Sequence, residues 1–130
     1  MVNAKKQKMT LVEKTLKEIL IPKDDPTDDS RFKQLLVWNG AILMGDENWD
    51  SIIINQGVKG SGKTTVYNIE KELFKYANIP CLCIDDGDLS KLPSSYDGIK
   101  AILIDDFNME DMAYFSKIAP KLPMLLFIKS

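Results

Sequence analysis

Four short apolar runs in the C-terminal part of the chain constrain its fold most. They are "SIIIN" at 51–55, "PCLCI" at 80–84, "KAILIDD" at 100–106 and "PMLLFIKS" at 123–130. Runs this short, aliphatic and bounded by polar residues suit strands buried on both faces. Segments of helical character separate them. Residues 63–77 carry Val66, Ile69, Leu73 and Ala77 at helical spacing, and 108–122 opens with Asn108 as a cap. Between the second and third runs, "DDGDLSKLPSSYDG" is rich in turn formers, with room for one helical turn. The order strand, helix, strand, loop, strand, helix, strand predicts an α/β fold. Its parallel sheet has about four strands and right-handed crossovers.

Two helices are expected ahead of this core. In "TLVEKTLKEIL", Thr10 and Glu13 have capping-box spacing, and Leu11, Val12, Leu16, Ile19 and Leu20 form an apolar stripe that Pro22 closes. "PKDDPTDDS" is an acidic, proline-bearing linker. A second helix follows in "SRFKQLLVWNGAILMG", with Phe32, Leu35, Leu36 and Trp38 facing inward and Asn39-Gly40 as a breaking point. Residues 1–50 thus form a helical segment with its linker, and 51–130 the core, within a single compact domain. A length of 130 residues allows one domain with a real core.

Composition excludes several classes. No 18-residue apolar run offers a membrane span. The basic start "MVNAKKQKMT" lacks the apolar core of a secretory signal, which points to the cytoplasm. A net charge of −2 leaves no global footprint for nucleic acid, although Lys5, Lys6, Lys8, Lys14 and Lys17 crowd the N-terminus. These lysines read as a solvated helix face, with a basic arm for nucleic acid or a partner as the alternative. Cys81 and Cys83 share one strand face, and with no histidine in the chain they read as buried core thiols of a reducing compartment.

The chemistry sits in "GVKGSGKTT", between the first apolar run and the helix after it. Gly57, Gly60, Ser61, Gly62, Lys63 and Thr64 match the spacing of a phosphate-binding loop, in the strand-to-helix setting that its mechanism requires. Glycines let backbone N–H groups turn around a polyanion, and the helix N-terminus adds unpaired donors. Lys63 reaches the outer phosphates, the Thr64 hydroxyl can coordinate Mg²⁺, and Thr65 packs or helps to hold the inner phosphate.

A magnesium-nucleotide site also needs a carboxylate at a strand tip, and two double aspartates compete. "CLCIDD" ends in Asp85-Asp86 and "AILIDD" in Asp105-Asp106. The longer, later run favours the second pair. Asp105 then orients Mg²⁺, and Asp106 polarises the attacking water. "DDGD" lacks the full spaced ligand set of a calcium loop.

Together "GVKGSGKTT" and "AILIDDF" resemble the Walker A and Walker B motifs of additional-strand, AAA+-like P-loop ATPases. The compact spacing is similar to superfamily 3 helicases and to the replication and helicase-loader ATPases of viruses and plasmids. The resemblance covers roughly residues 51–130. It implies ATP and Mg²⁺ as cofactors, work on DNA in replication, unwinding or packaging, and, for a viral chain, the host cytoplasm. It also implies a polar sensor residue after the fourth strand, for which Ser130 is the candidate, then a fifth strand and a helical lid, where this sequence stops. The chain is thus expected to be a fragment, or a core completed by self-assembly or by a partner protein that supplies an arginine. Its only arginine, Arg31, lies outside the core, where a surface role is expected. Two other readings stay open: a non-catalytic nucleotide-binding module and a small P-loop kinase. ATP is the default base, since no Asn-Lys-x-Asp guanine-reading motif follows the second acidic run. Trp38, Trp49 and Phe107 are expected to pack rather than stack on bases.

Overall fold

The computed structural model describes residues 2–46, 51–57 and 60–129, with side chains from residue 11 onward. The chain divides into two units, Met1–Val37 and Trp38–Ser130.

The first unit holds α1 (Val2–Leu20) and the start of α2 (Ser30–Leu43). Helix α1 begins well before Thr10, so the Thr10/Glu13 pair does not cap it. A good helical pattern on either side overrides a cap signal that lies inside it. Leu16, Leu20, Phe32 and Leu35 are buried, whereas Leu11 and Leu36, both expected inward, are exposed. The Lys17 ammonium lies over the Phe32 ring, 5.4 Å from its centroid. In the linker, Asp28 Oδ1 accepts from the Ser30 amide and hydroxyl, which steadies the entry to α2. Helix α2 runs through Asn39-Gly40 without a break.

The second unit is a four-stranded parallel sheet with flanking helices. Its strands are β1 (Ile52–Asn55), β2 (Cys81–Ile84), β3 (Ala101–Phe107) and β4 (Met124–Ile128), in the order β1-β4-β3-β2. Helix α3 (Lys63–Tyr76) connects β1 to β2. Helix α4 (Met112–Ile118), entered by a short 3-10 turn that Asn108 caps through the Glu110 amide, connects β3 to β4. Another 3-10 turn, Leu89–Lys91, lies in the long β2–β3 connection.

Burial follows position in the sheet, not apolarity alone. The inner strands β3 and β4 are buried almost throughout. On one face Ile102, Ile104, Met124, Leu126 and Ile128 pack with Ile84, Phe107 and Phe115. The edge strands differ from the sequence expectation of two covered faces. Ile52 and Ile54 of β1 are 53% and 48% exposed, and Cys81 and Cys83 of β2 are only half-buried, their sulfurs 4.0 Å apart. A strand with one neighbour in the sheet has less to cover it.

Of the stripe expected on helix α3, Val66 is buried and Ile69 and Leu73 are half-buried, and the inward face is shifted from it. Val66, Tyr67, Glu70 and Phe74 are buried, and Ala77 is exposed. Two of these anchor aromatic pairs: Phe74 meets Trp38 edge-on at 5.7 Å, and Tyr67 meets Phe127 at 5.9 Å. Trp38 and Phe107 are core residues, as expected, whereas Trp49 lies outside the described residues.

Candidate functional site

The site is built where β1 ends and α3 begins. After Asn55 the chain leaves the sheet, and Gly60 and Gly62 adopt left-handed backbone with φ of 82° and 91°. Only glycine enters that region without steric cost, which is why the sequence places it at these turns. Gly62 is the residue before α3, and no side chain caps the helix there. The amides of the first turn therefore keep no partner within the helix and no capping side chain. Ser61 and Thr64 are exposed beside them; Thr65, also exposed, is not a packing residue. Val58 and Lys59 lie outside the described residues.

Lys63 folds back across this loop. Its Nζ donates to the Gly57 carbonyl at 2.6 Å and to the Ile128 carbonyl at 2.8 Å. The ammonium thereby links the start of the loop to the end of β4. Ser130, the candidate sensor, lies outside the described residues.

The two double aspartates stand in adjacent strands, with Ile84 in register with Ile104. Their surroundings diverge. Asp105 is buried near the end of β3, where the Thr64 hydroxyl is close enough to favour its ionised form. Its Oδ1 accepts from the Asp106 amide at 2.9 Å. Burial pushes the Asp105 carboxyl above the ordinary range, the Asp106 amide and the Thr64 hydroxyl oppose the shift, and the charges of Asp106 and Asp85 add to it.

Asp85 is engaged elsewhere. It accepts from the Tyr67 hydroxyl at 2.5 Å and from Lys71 Nζ at 3.1 Å, and these two bonds hold its carboxyl below the usual range. Asp86 pairs with Lys91 at 2.6 Å on the surface, which lowers its carboxyl likewise. Among the described residues, the bonds of these two carboxylates go to Tyr67, Lys71, Lys91 and the Asp88 amide, not to the loop that carries Lys63 and Thr64.

Asp106 sits at an irregularity in the sheet. The β3–β4 register shifts between Ile104 and Phe107, and Asp106 has φ of 55°, unusual for a residue with a side chain. The bulge turns the Asp106 side chain to solvent next to buried Asp105. Gly87 makes this geometry reachable. A Cβ at Gly87 would lie 2.2 Å from the Asp106 carbonyl oxygen, and its φ of 68° suits glycine alone. Sequence reasoning missed Gly87, because its partner lies one strand away. The only local signal is the Asp-Asp-Gly-Asp turn composition.

Among the described residues, no three Cys, Asp or Glu side chains converge into a ready-made metal cage. A magnesium ion held by one carboxylate, one hydroxyl and phosphate oxygens does not need one. No described helix is long and apolar enough to cross a membrane. A scan against protein-family models, a search of curated proteins and a search of solved structures each return no match.

Proposed function

We propose that the chain binds Mg-ATP at the Gly57–Thr65 loop and is a weak ATPase of the additional-strand P-loop type. The placement of buried Asp105 where the Thr64 hydroxyl acts on its carboxyl carries this reading. It joins the first turn of the helix after a glycine loop to an acid near the end of β3, one strand beyond the neighbour of β1. A hydroxyl and a carboxylate are the protein ligands a phosphate-bound magnesium ion takes. The charges of Asp106 and Asp85, which raise the proton affinity of Asp105, favour a cation there.

The roles follow from the chemistry of each group. The uncapped amides of α3 and the Lys63 ammonium bind phosphate oxygens. Thr64 and Asp105 would hold the metal, which neutralises charge on the phosphates. Asp106, exposed on its bulge, orients water. The strand order supports the class: β4 lies between the strand that feeds the loop and the strand that bears the acids. Service in DNA replication, unwinding or packaging rests on the resemblance alone.

A second reading, a nucleotide-binding module without turnover, is favoured by one observation. Residues 51–130, which carry the loop, contain no arginine, so charge stabilisation in the transition state needs a group from outside this core. Steady-state Mg-ATP hydrolysis, titrated with single-stranded DNA beside Lys63→Ala, separates the two. DNA-stimulated turnover missing from the variant supports the ATPase. Nucleotide binding without turnover supports the module, and equal behaviour of both proteins removes the site.

A further inference from the structure

Helix α3 buries a carboxyl group that nucleotide chemistry does not use. Glu70 is fully buried at 0% exposure, and the Asn39 side chain of α2 that it meets is buried as well. Asn39 Nδ2 donates to Glu70 Oε1 at 3.0 Å. Among the described residues the other half of each group is unpaired: Glu70 Oε2 and Asn39 Oδ1 are both buried acceptors without a donor. No described ion pair includes Glu70. The ionisable group that bears on it from another element is the Cys81 thiol of β2, which Cys83 and burial keep neutral. One turn away on α3 its neighbours are Val66, Tyr67, Leu73 and Phe74, none of them a cation.

Two orphaned acceptors and no cation make an ionised carboxylate a poor occupant of this position. A lone buried charge with one hydrogen bond is costly, and each unpaired acceptor adds to the cost. One proton resolves both defects. Placed on Oε2, it removes the charge and converts one acceptor into a donor, with Asn39 Oδ1 there to receive it.

We propose that Glu70 is a protonation site of the folded chain, its neutral carboxyl and the Asn39 amide forming a two-hydrogen-bond acid–amide pair that opens when the proton leaves. The site's own proton affinity agrees, since burial raises the Glu70 carboxyl from 4.5 to about 7. The sign follows. The folded chain holds this proton more tightly than the unfolded chain, so the contribution is complete below 4.5. It is lost as pH rises through the window up to about 7, and it is flat above that. One proton corresponds to up to a tenfold rise in the unfolding constant per pH unit inside the window. The pair ties α2 to the helix that starts at Lys63, so the proton steadies the scaffold of the loop.

Glu70→Gln distinguishes the acid from the carboxylate, because an amide can make both hydrogen bonds without a proton. Urea unfolding of the full chain between pH 5 and 8 should show wild-type stability falling more steeply than that of the variant. At pH 8 the variant should be at least as stable as wild type. The difference between the two curves removes carboxyls common to both, including Asp105. A variant less stable at every pH, with a parallel slope, overturns the proposal. Carbon-13 spectra of glutamate-labelled wild type give a check that does not need the variant. One carboxyl resonance should stay at its protonated position up to about pH 7; if all have titrated by about pH 5, the pair is ionised and the proposal fails. Neither readout involves nucleotide, so either result leaves the proposed ATP site to its own test.

Discussion

The tips of β2 and β3 carry the same Ile-Asp-Asp sequence side by side, and the fold treats them in opposite ways. Ile84 and Ile104 are in register, so Asp85 and Asp105 leave neighbouring strands at the same level. Strand β2 lies at an edge and stops at Ile84. Strand β3, held between β2 and β4, continues to Phe107, which is in register with Ile128. The result is a buried carboxylate at Asp105, beside Thr64, and a carboxylate at Asp85 whose side chain is 67% exposed, bonded to Tyr67 and Lys71. An acid becomes a metal-site candidate here through the strand next to it, not through its local sequence.

The sharpest way to break this comparison is to exchange the two acids for alanine in turn. Asp105→Ala should lower Mg-ATP turnover by about 100-fold, the scale for losing one preorganised electrostatic group. Asp85→Ala should stay within about threefold of wild type, since its partners are structural. Equal losses in a hydrolysis assay would dissolve the distinction.

Gly87 joins the two tips, and Gly87→Ala tests whether the β2 loop supports the bulge at Asp106. The new methyl meets a backbone carbonyl in left-handed backbone, at a cost of about 2–3 kcal/mol. A urea-midpoint change worth less than about 0.5 kcal/mol would mean the loop yields freely.

Acid titration should separate the carboxyls without any mutation. Asp105 lies above the usual range because of burial, whereas Asp85 lies below it because of Tyr67 and Lys71. As pH falls, Asp105 should take its proton first, and Mg-nucleotide affinity should weaken while the Asp85 contacts persist. Asp85, depressed in the folded chain, adds stability above its unfolded value, and that is lost as pH falls through its folded one. Side-chain carboxyl NMR reads both, and the reverse order would count against the assignment.

Tyr67→Phe removes one of the two donors to Asp85. A loss of about 1 kcal/mol is expected, with the Asp85 carboxyl moving back toward the ordinary range. Smallest of all, Lys91→Ala should leave the thermal midpoint unchanged, because the Lys91–Asp86 pair is about half exposed on both sides.

Much of this was legible in the residues. The glycines at 60 and 62 announced the left-handed turns, and the aliphatic runs announced the inner strands. Less legible was the inward face of α3. Val66, Ile69, Leu73 and Ala77 suggested one stripe; the helix buries Val66, but with Tyr67, Glu70 and Phe74. Aromatic partners at Trp38 and Phe127 favour that rotation, and they come from distant parts of the chain. No periodicity rule assigns a glutamate to the core. Its acceptance depends on Asn39, 31 positions earlier.

What the sequence determined by itself is therefore local: where the chain extends, where it coils, where only glycine fits, and which side chains could bind phosphate or metal. Those properties depend on a residue and its few neighbours. The tertiary structure decided which of two like acids meets Thr64, which strands are covered, where β3 bulges, and where a carboxyl must keep its proton. Each of these depends on desolvation and on partners far away in the chain, and those exist only once the sheet has formed.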